Sequence, residues 1–409
     1  MDEKEFTTSL LGIQGWEAKK VSMNELTGSL TIELERVPGT PIVCSKCGMA
    51  YLSIYDHYPM REVEELPAFG HRTFLAFSQA RVECVICGSV EPEKLDWVEA
   101  YQHQTLRYQR YLATLCDYMP VADVSDFSGV SKDALYRIDK RFLQERHEQF
   151  KDEQLVKYLG IDEISIHKGQ SYATVFYDLQ RGMVVGLVKD RKQRKVSGFF
   201  RRWGKEKCKN VVAVCCDLWS PFHNSVKLHL KGAVLVFDKF HVFKYLSDAI
   251  DDVRKEEQRK LENEQQSIIK GIRWLILKKD LTCKQKRKLK EVVEQNQSIA
   301  KAILLRESFE AFYAAENAEE AEAVLDEWTT QCKESELKPF IKLARRLNRW
   351  KDGIIAFFIH RITNGVSEGI NNKIKVIKRR SYGFRDLDYF FLKIKMATGF
   401  IPKMKEVYP

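Results

Sequence analysis

Val211-Val212-Ala213-Val214-Cys215-Cys216-Asp217 is an unbroken apolar run that ends in a carboxylate. Such a run reads as a strand buried on both faces, the habit of a parallel sheet. Ala233-Val234-Leu235-Val236-Phe237-Asp238 repeats the pattern and also stops at an aspartate. The stretch between them, 221–230, reads as a crossover helix. Upstream, Leu155-Val-Lys-Tyr-Leu-Gly-Ile-Asp162-Glu-Ile-Ser-Ile-His167 reads as a strand carrying Asp162. Turn signals at Gly169-Gln170 and Gln180-Arg181-Gly182 set 172–179 and 183–188 as antiparallel hairpin strands. A helix is expected over 196–203.

The order β-β-β-α-β-α-β is that of a ribonuclease-H-like fold. In such a sheet the first strand neighbours the first strand after the crossover, so Asp162 and Asp217 approach each other. An unpaired, partly desolvated carboxylate pair is costly unless a cation neutralises it. Two divalent ions do so and also serve phosphodiester cleavage: one activates a water or a 3′-hydroxyl, the other stabilises the leaving oxygen. Hard oxygen ligands favour Mg²⁺ or Mn²⁺. Asp178 and Asp190 read as turn or cap residues. Glu163 points away from Asp162 on a regular strand. Asp238 and His241 form Asp-x-x-His, an alternative source of the second carboxylate. The preferred reading makes them a supporting polar pair, with His241 orienting a neighbour or touching a phosphate.

A second informative stretch runs from Asn364 to Arg380, Asn-Gly-Val-Ser-Glu-Gly-Ile-Asn-Asn-Lys-Ile-Lys-Val-Ile-Lys-Arg-Arg. Apolar residues at 366, 370, 374 and 377 give it one helical face. Ser367 is the expected N-cap, with capping from 364 the alternative. Glu368 then lies in the first turn, with Asn371, Asn372 and Lys375 on or near its side. Taken alone, Glu368 complements the helix dipole. Lys373, Lys375, Lys378, Arg379, Arg380 and Arg385 are placed to grip DNA phosphates. Tyr382 and Phe384 suit base stacking or, preferably, core packing. Asp386 or Asp388 caps a last helix with Tyr389, Phe390, Leu392 and Ile394 inward.

Nearer the start, Cys44-Ser-Lys-Cys47-Gly and Cys84-Val-Ile-Cys87-Gly are two Cys-x-x-Cys knuckles. Four soft thiolates suit one tetrahedral structural Zn²⁺; redox thiols or reduced core cysteines are the alternatives. His57 and His71 lie between the knuckles and are not required as ligands. A strand is expected over 72–81. Beyond it, 105–118 is helical in pattern, Met119-Pro120 breaks it, and Ser128-Gly129-Val130 forms a turn. Ser131 caps a longer helix to about 146, with Leu135, Ile138 and Phe142 inward. This is the pattern of a helix-turn-helix, with Lys132, Tyr136, Arg137, Lys140 and Arg141 able to face DNA. An ordinary helical hairpin has the same pattern.

The chain has 409 residues, 44% hydrophobic and 30% charged, with a net charge of +10. Residues 1–104 carry 9 Lys/Arg against 16 Asp/Glu, and residues 338–409 carry 17 against 5. The positive field is therefore concentrated around Glu368, which points to a polyanionic partner there. No apolar run suits a membrane span, and the start, Met1-Asp2-Glu3-Lys4-Glu5, is unlike a signal peptide, so a cytoplasmic location is expected. No Walker-type loop calls for ATP. Residues 246–365 are rich in Lys, Glu, Gln, Ala and Leu and read as helices without a strand. Arg345, Arg346, Arg349 and Trp350 near their end suit phosphate contact with base stacking, or a solvated helix face.

Four segments carry a resemblance: Gly160-Ile-Asp162-Glu-Ile-Ser, Cys216-Asp217-Leu-Trp219-Ser-Pro221-Phe, Asp238-Lys-Phe-His241-Val and Ser367-Glu368-Gly-Ile-Asn371-Asn372-Lys-Ile-Lys. Together they resemble bacterial insertion-sequence transposases of the ISL-three family, over nearly the whole chain and in the expected order. The resemblance implies a zinc-binding N-terminal domain, a helix-turn-helix and a DDE catalytic domain in which Asp162, Asp217 and Glu368 match the metal-binding acids. Asp238 and His241 match a signature that follows the second acid in related groups. The expected organisation is multidomain α/β. It comprises a zinc-binding module (1–104), a helix-turn-helix (105–150), the first part of a ribonuclease-H-like core (151–245), an all-helical insertion (246–365) and the closing helices of the core (366–409). The expected activity is Mg²⁺-dependent cleavage at terminal inverted repeats and joining of the 3′-hydroxyl ends to target DNA, by a homodimer or larger assembly. A catalytically silent DNA-binding regulator and a structure-specific nuclease are the alternatives.

Overall fold

The computed structural model describes residues 3–151, 155–167, 171–261, 269, 272–278 and 280–404. The turn expected at Gly169-Gln170 lies outside these residues, as does most of 262–271. The chain divides into two compact units, residues 1–149 with 402–409 and residues 150–401. No described helix is long and apolar enough to cross a membrane.

The first unit begins with α1 (Glu3–Leu11) and a sheet of β1 (Trp16–Asn24), β2 (Ser29–Arg36), β7 (His71–Phe77) and β6 (Arg61–Ala68), in that spatial order. Trp16, Leu34, Val63, Leu75 and Phe77 make its core. Two small sheets lie beside it in sequence: β3 (Ile42–Val43) with β4 (Ala50–Tyr51), and β5 (Asp56–His57) with β8 (Ala80–Cys84) and β9 (Ser89–Pro92). The single strand expected over 72–81 is therefore two. The run breaks at Ser78-Gln79, and β7 and β8 join different sheets. Apolar content does not reveal that break, because both halves are buried.

The helix-turn-helix pattern appears as α2 (Leu106–Cys116), α3 (Val121–Ser128) and α4 (Lys132–Phe150). Thr105 caps α2, its side chain accepting from the Tyr108 N–H. Gly129 ends α3 at φ 74°, a left-handed conformation that glycine adopts without a Cβ penalty. Leu112, Val124, Leu135 and Ile138 are buried together between the three helices. Residues 402–404 return to this unit. Arg146 pairs with both oxygens of Asp117 (2.7 and 2.9 Å) and donates to the Pro402 carbonyl, while the Met404 N–H donates to Asp117.

The second unit is built on a five-stranded sheet of β12 (Met183–Lys189), β11 (Ser171–Asp178), β10 (Tyr158–His167), β13 (Ala213–Cys216) and β14 (Val234–Phe237), in that order. The first three strands are antiparallel; β13 pairs parallel to β10, and β14 parallel to β13. One face takes α5 (Gln193–Trp203), whose Phe199 ring stacks on Phe176 at 3.7 Å. A Cβ on Gly186 would meet the Phe199 ring at 2.1 Å, so this packing needs glycine there. The short α6 (Lys205–Lys209) leads into β13, and α7 (Ser220–His229) crosses to β14.

After β14 every regular element of the described residues is helical: α8 (Lys239–Lys260), α9 (Arg273–Leu277), α10 (Cys283–Gln295), α11 (Gln297–Glu310), a 3₁₀ turn (Ala311–Ala314), α12 (Ala318–Glu334), α13 (Lys338–Arg349) and α14 (Lys351–His360). The chain then forms α15 (Gly365–Arg380) and α16 (Leu387–Ala397). Their Ile370, Ile374, Phe390 and Ile394 bury against Ile164, Ile166, Val175 and Tyr177, on the sheet face opposite α5. Helix α15 starts from Asn364; Ser367 is not its N-cap but lies buried within the first turn. Asp386 caps α16, accepting from the N–H groups of Asp388 and Tyr389.

Candidate functional site

Strand register sets the site. The last matched pairs are Ile161 with Cys216 and Cys216 with Phe237. Asp162, Asp217 and Asp238 each follow those residues by one position, so three aspartates stand in a row at one edge of three neighbouring strands. Asp162 shares a face with Ile164 and Ile166, the face covered by α15, because alternate residues of a strand point the same way. Glu163 turns to the other side, where the Arg191 guanidinium reaches it at 3.3 Å.

Helix α15 brings its own polar groups to that edge. Asn371 donates to Asp162 Oδ2 at 2.8 Å and accepts from the Tyr177 hydroxyl at 2.5 Å. The Asp162 Oδ1 accepts from the Glu163 N–H at 2.7 Å. Asn364, buried before the helix, donates its side-chain amide to the Ile161 carbonyl and its backbone N–H to Asp238, both at 3.4 Å. The start of α15 is thus tied to β10 and to the residue that follows β14. Glu368 is exposed, and its carboxylate makes no hydrogen bond or ion pair with a described residue. It lines a cleft of about 1000 Å³ together with Asp162, Asp238, His241, Asn371 and Lys375. Arg306 and Tyr313, from the helical segment, also face this cleft.

Asp217 does not line the cleft; His241 stands against it, Nε2 to Oδ1 at 2.6 Å. Asp238 and His241 both line the cleft, and the neighbour that His241 meets is Asp217. His241 partners Asp217, while Asp238 holds the Asn364 N–H. Burial pushes Asp162 above the usual carboxylate range, and the charge of Asp217 adds to this. Burial also raises Asp238. Burial pulls His241 down, but the Asp217 carboxylate, with Asp238 and Asp162 beyond it, outweighs that and leaves it raised. Asp178 and Asp190 act in turns: the Asp178 side chain accepts from the N–H groups of Gln180 and Arg181, and that of Asp190 from Arg191 and Lys192.

The four thiols of the first unit converge. Cys44, Cys47, Cys84 and Cys87 place their Sγ atoms within 4.8 Å of one another. Among the described residues this is the one group of three or more His, Cys, Asp or Glu ligand atoms at such spacing, so Asp162, Asp217 and Glu368 stand further apart. Each knuckle sits at a hairpin turn, and Gly48 and Gly88, at φ 75° and 65°, return their N–H groups to the Cys44 and Cys84 carbonyls. The Tyr51 hydroxyl lies 3.2 Å from Cys84 Sγ and brings that thiol down to about 6. His71 is engaged elsewhere, 2.7 Å from the Gly28 carbonyl. The geometry is compatible with a tetrahedral metal and closed to substrate.

The basic residues fare unevenly. Lys132 and Arg137 are exposed on α4. Arg141 is held by Glu99 and by Gln109 (2.8 Å), and the Lys140 ammonium sits over the Tyr136 ring. On α15 and beyond, Lys373, Lys375, Arg379, Arg380 and Arg385 are exposed and Lys378 is half-buried. Arg346 lies over the Tyr245 ring at 3.7 Å. Trp350 is half-buried and packs edge-on to Phe237 and His223. Phe384 stacks on Phe390 at 4.7 Å, whereas Tyr382 is 98% exposed, against the expectation of core packing. Asn364 is legible in the sequence only as a possible helix start, and Tyr177, Tyr51 and Arg191 are not legible there as site residues. Asn364 stood within the quoted α15 stretch, but nothing local marks the other three, whose partners are remote in the chain.

Two family models match this chain. One, described as a transposase, spans residues 159–394, and one described as the helix-turn-helix domain of transposase family ISL3 spans 93–143. The chain is thus a transposase with a helix-turn-helix and a DDE transposase domain, a class that binds DNA. It belongs to the ISL3 family. It is 30% identical over 403 residues, 97% of this chain and 98% of the relative, to the transposase for insertion sequence element IS1001 of Bordetella parapertussis. It is 24% identical over 375 residues, 84% of this chain and 82% of the relative, to the transposase for insertion sequence element IS1557 of Mycobacterium tuberculosis.

Proposed function

We propose that Asp162, Asp217 and Glu368 form the catalytic centre of a ribonuclease-H-like core that cuts the terminal inverted repeats of its own insertion sequence and joins the 3′-hydroxyl ends to target DNA. The observation that carries this is the matched register of Asp162 and Asp217 on adjacent parallel strands, with the Glu368 helix tied to Asp162 through Asn371. The sheet order and the long helical segment between β14 and α15 support the same core, interrupted by an insertion.

The residues fit divalent cations. The donors are hard carboxylate oxygens, and Asp162 is raised by burial and by Asp217, a cost that a cation relieves. Asp162, Asp217 and Glu368 would hold two Mg²⁺ or Mn²⁺ ions. Bound there, the ions supply an activated water or 3′-hydroxyl and neutralise the leaving oxygen. Asn371, fixed by Tyr177, orients the Asp162 carboxylate. His241 orients Asp217, and Asp238 anchors the start of α15 through Asn364. Glu368, exposed on the cleft wall, would supply the third carboxylate to those ions. The cations of α15 and its following turn hold the backbone of that DNA, and Lys132 and Arg137 of α4 contact the repeat. The four cysteines hold a structural Zn²⁺. Because two ends are cut together, the working form is a dimer or larger assembly on DNA.

The test is incubation of duplexes carrying the terminal repeat with Mg²⁺ and target DNA, comparing wild type with Asp217→Asn and Glu368→Gln. Specific 3′-hydroxyl ends and joined products from wild type alone are expected. Cleavage without joining assigns a nuclease, binding without either assigns a regulator, and full cleavage by either variant removes that acid from the site.

A further inference from the structure

One aromatic residue just beyond the C-terminus of α15 has an environment that the fold itself does not require. Tyr382 follows α15 by two residues and is 98% exposed. Its φ is 51°, in the left-handed region, where a bulky residue pays a conformational cost that glycine avoids. Glycine follows at once, Gly383 at φ 100°. The turn is nevertheless fixed. The Tyr382 N–H donates to the Arg379 carbonyl at 3.1 Å, the Gly383 N–H donates to the Lys378 carbonyl at 2.9 Å, and Phe384 is stacked on Phe390. Arg379, Arg380 and Arg385 are exposed on either side. A hydrogen-bonded turn therefore presents an aromatic ring to solvent at a strained position, with three exposed arginines within three residues of it in sequence. Core packing explains Phe384 and leaves Tyr382 unexplained.

The geometry points to Tyr382 as a stacking residue for an unpaired base of the bound DNA end, with the flanking arginines on the adjacent phosphates. This rests on the transposase reading above. Phosphate contact suits the arginines, and an exposed aromatic face is sequence-tolerant because every base has a π-face. Tyr382 lies fourteen positions beyond Glu368, twelve of them within α15, about 18 Å along a helix at 1.5 Å per residue. The stacked base is thus displaced from the cleavage point rather than at it.

The experiment uses the full chain and duplexes carrying its terminal repeat, fully paired or with one mismatch moved along the two helical turns around the cleavage point, without divalent ions. A base that must leave the stack leaves it more readily when mismatched. Wild type is expected to bind one mismatched position roughly tenfold tighter than the paired duplex, within the five- to hundredfold worth of a base–aromatic stack. Tyr382→Ala loses that preference while its affinity for paired duplex keeps the same salt slope; Tyr382→Phe retains the preference. A preference that survives Tyr382→Ala overturns the inference, as does uniform binding to all mismatches by a wild type that still cleaves with Mg²⁺. Wild type that neither binds nor cleaves the repeat overturns the underlying transposase reading instead.

Discussion

Asn371 shows how much one side chain carries. Its amide donates to Asp162 while its oxygen accepts from Tyr177, so its orientation is fixed from both ends. Burial raises Tyr177 well above the ordinary phenol range, so it remains a donor at any working pH. Asn371→Ala leaves the Tyr177 hydroxyl and one Asp162 oxygen unpaired in a buried place. The expected result is a loss of about 1–3 kcal/mol in stability by denaturant unfolding and at least about a tenfold loss of cleavage rate, since Asp162 is no longer oriented. Binding of repeat DNA should be unchanged. Cleavage at wild-type rate would show that Asp162 needs no such support. Arg141 teaches the opposite lesson: a basic residue on the right helix is already committed to Glu99 and Gln109.

Among the elements, the knuckle hairpins are the least able to stand alone. β3 and β4 have two residues each, and isolated short hairpins are marginal in water. The small cluster of Ile42, Cys44, Ala80, Val82 and Cys84 adds little area, and two of its members are thiols. A metal bound by the four thiolates would therefore supply much of the cohesion. Stripping it with a strong chelator should raise amide exchange in 42–51 and 80–92 by orders of magnitude while the sheet of the second unit stays protected. Acidification should act the same way, because thiolate ligands are protonated as the pH falls and the metal is released. Tyr51→Phe removes the hydroxyl beside Cys84 and should weaken metal retention about tenfold or more in chelator competition. Exchange unchanged by metal removal would make the cluster a reduced core.

At the scale of the whole molecule, the first unit is discontinuous in sequence. It takes residues 1–149 and the chain's return at 402–409. The described part of that return places the Pro402 carbonyl on Arg146 and the Met404 N–H on Asp117, beside α2 and α4. Deleting 402–409 removes two hydrogen bonds from a buried ion pair. The expected cost is on the order of 1–3 kcal/mol in the first unit, read as faster amide exchange in α2 and α4, with the second unit unaffected. Equal protection with and without the tail would show that Asp117 and Arg146 suffice by themselves.

The sequence by itself determined the elements of the second unit and most of the groups at their ends. Apolar runs and turn residues are local signals, so β10 to β14 and the helices around them were legible, and the aspartates after β13 and β14 were visible as breaks in the run. The thiol knuckles were legible for the same reason, since two-residue spacing and a following glycine are local. What only the tertiary structure decided is pairing. His241 stands against Asp217, Asn371 holds Asp162, Trp350 meets Phe237 edge-on and Tyr382 is exposed. Those partners lie tens to hundreds of residues apart, and strand register and helix docking bring them together. Periodicity reports which face a residue is on. It does not report which remote group that face meets.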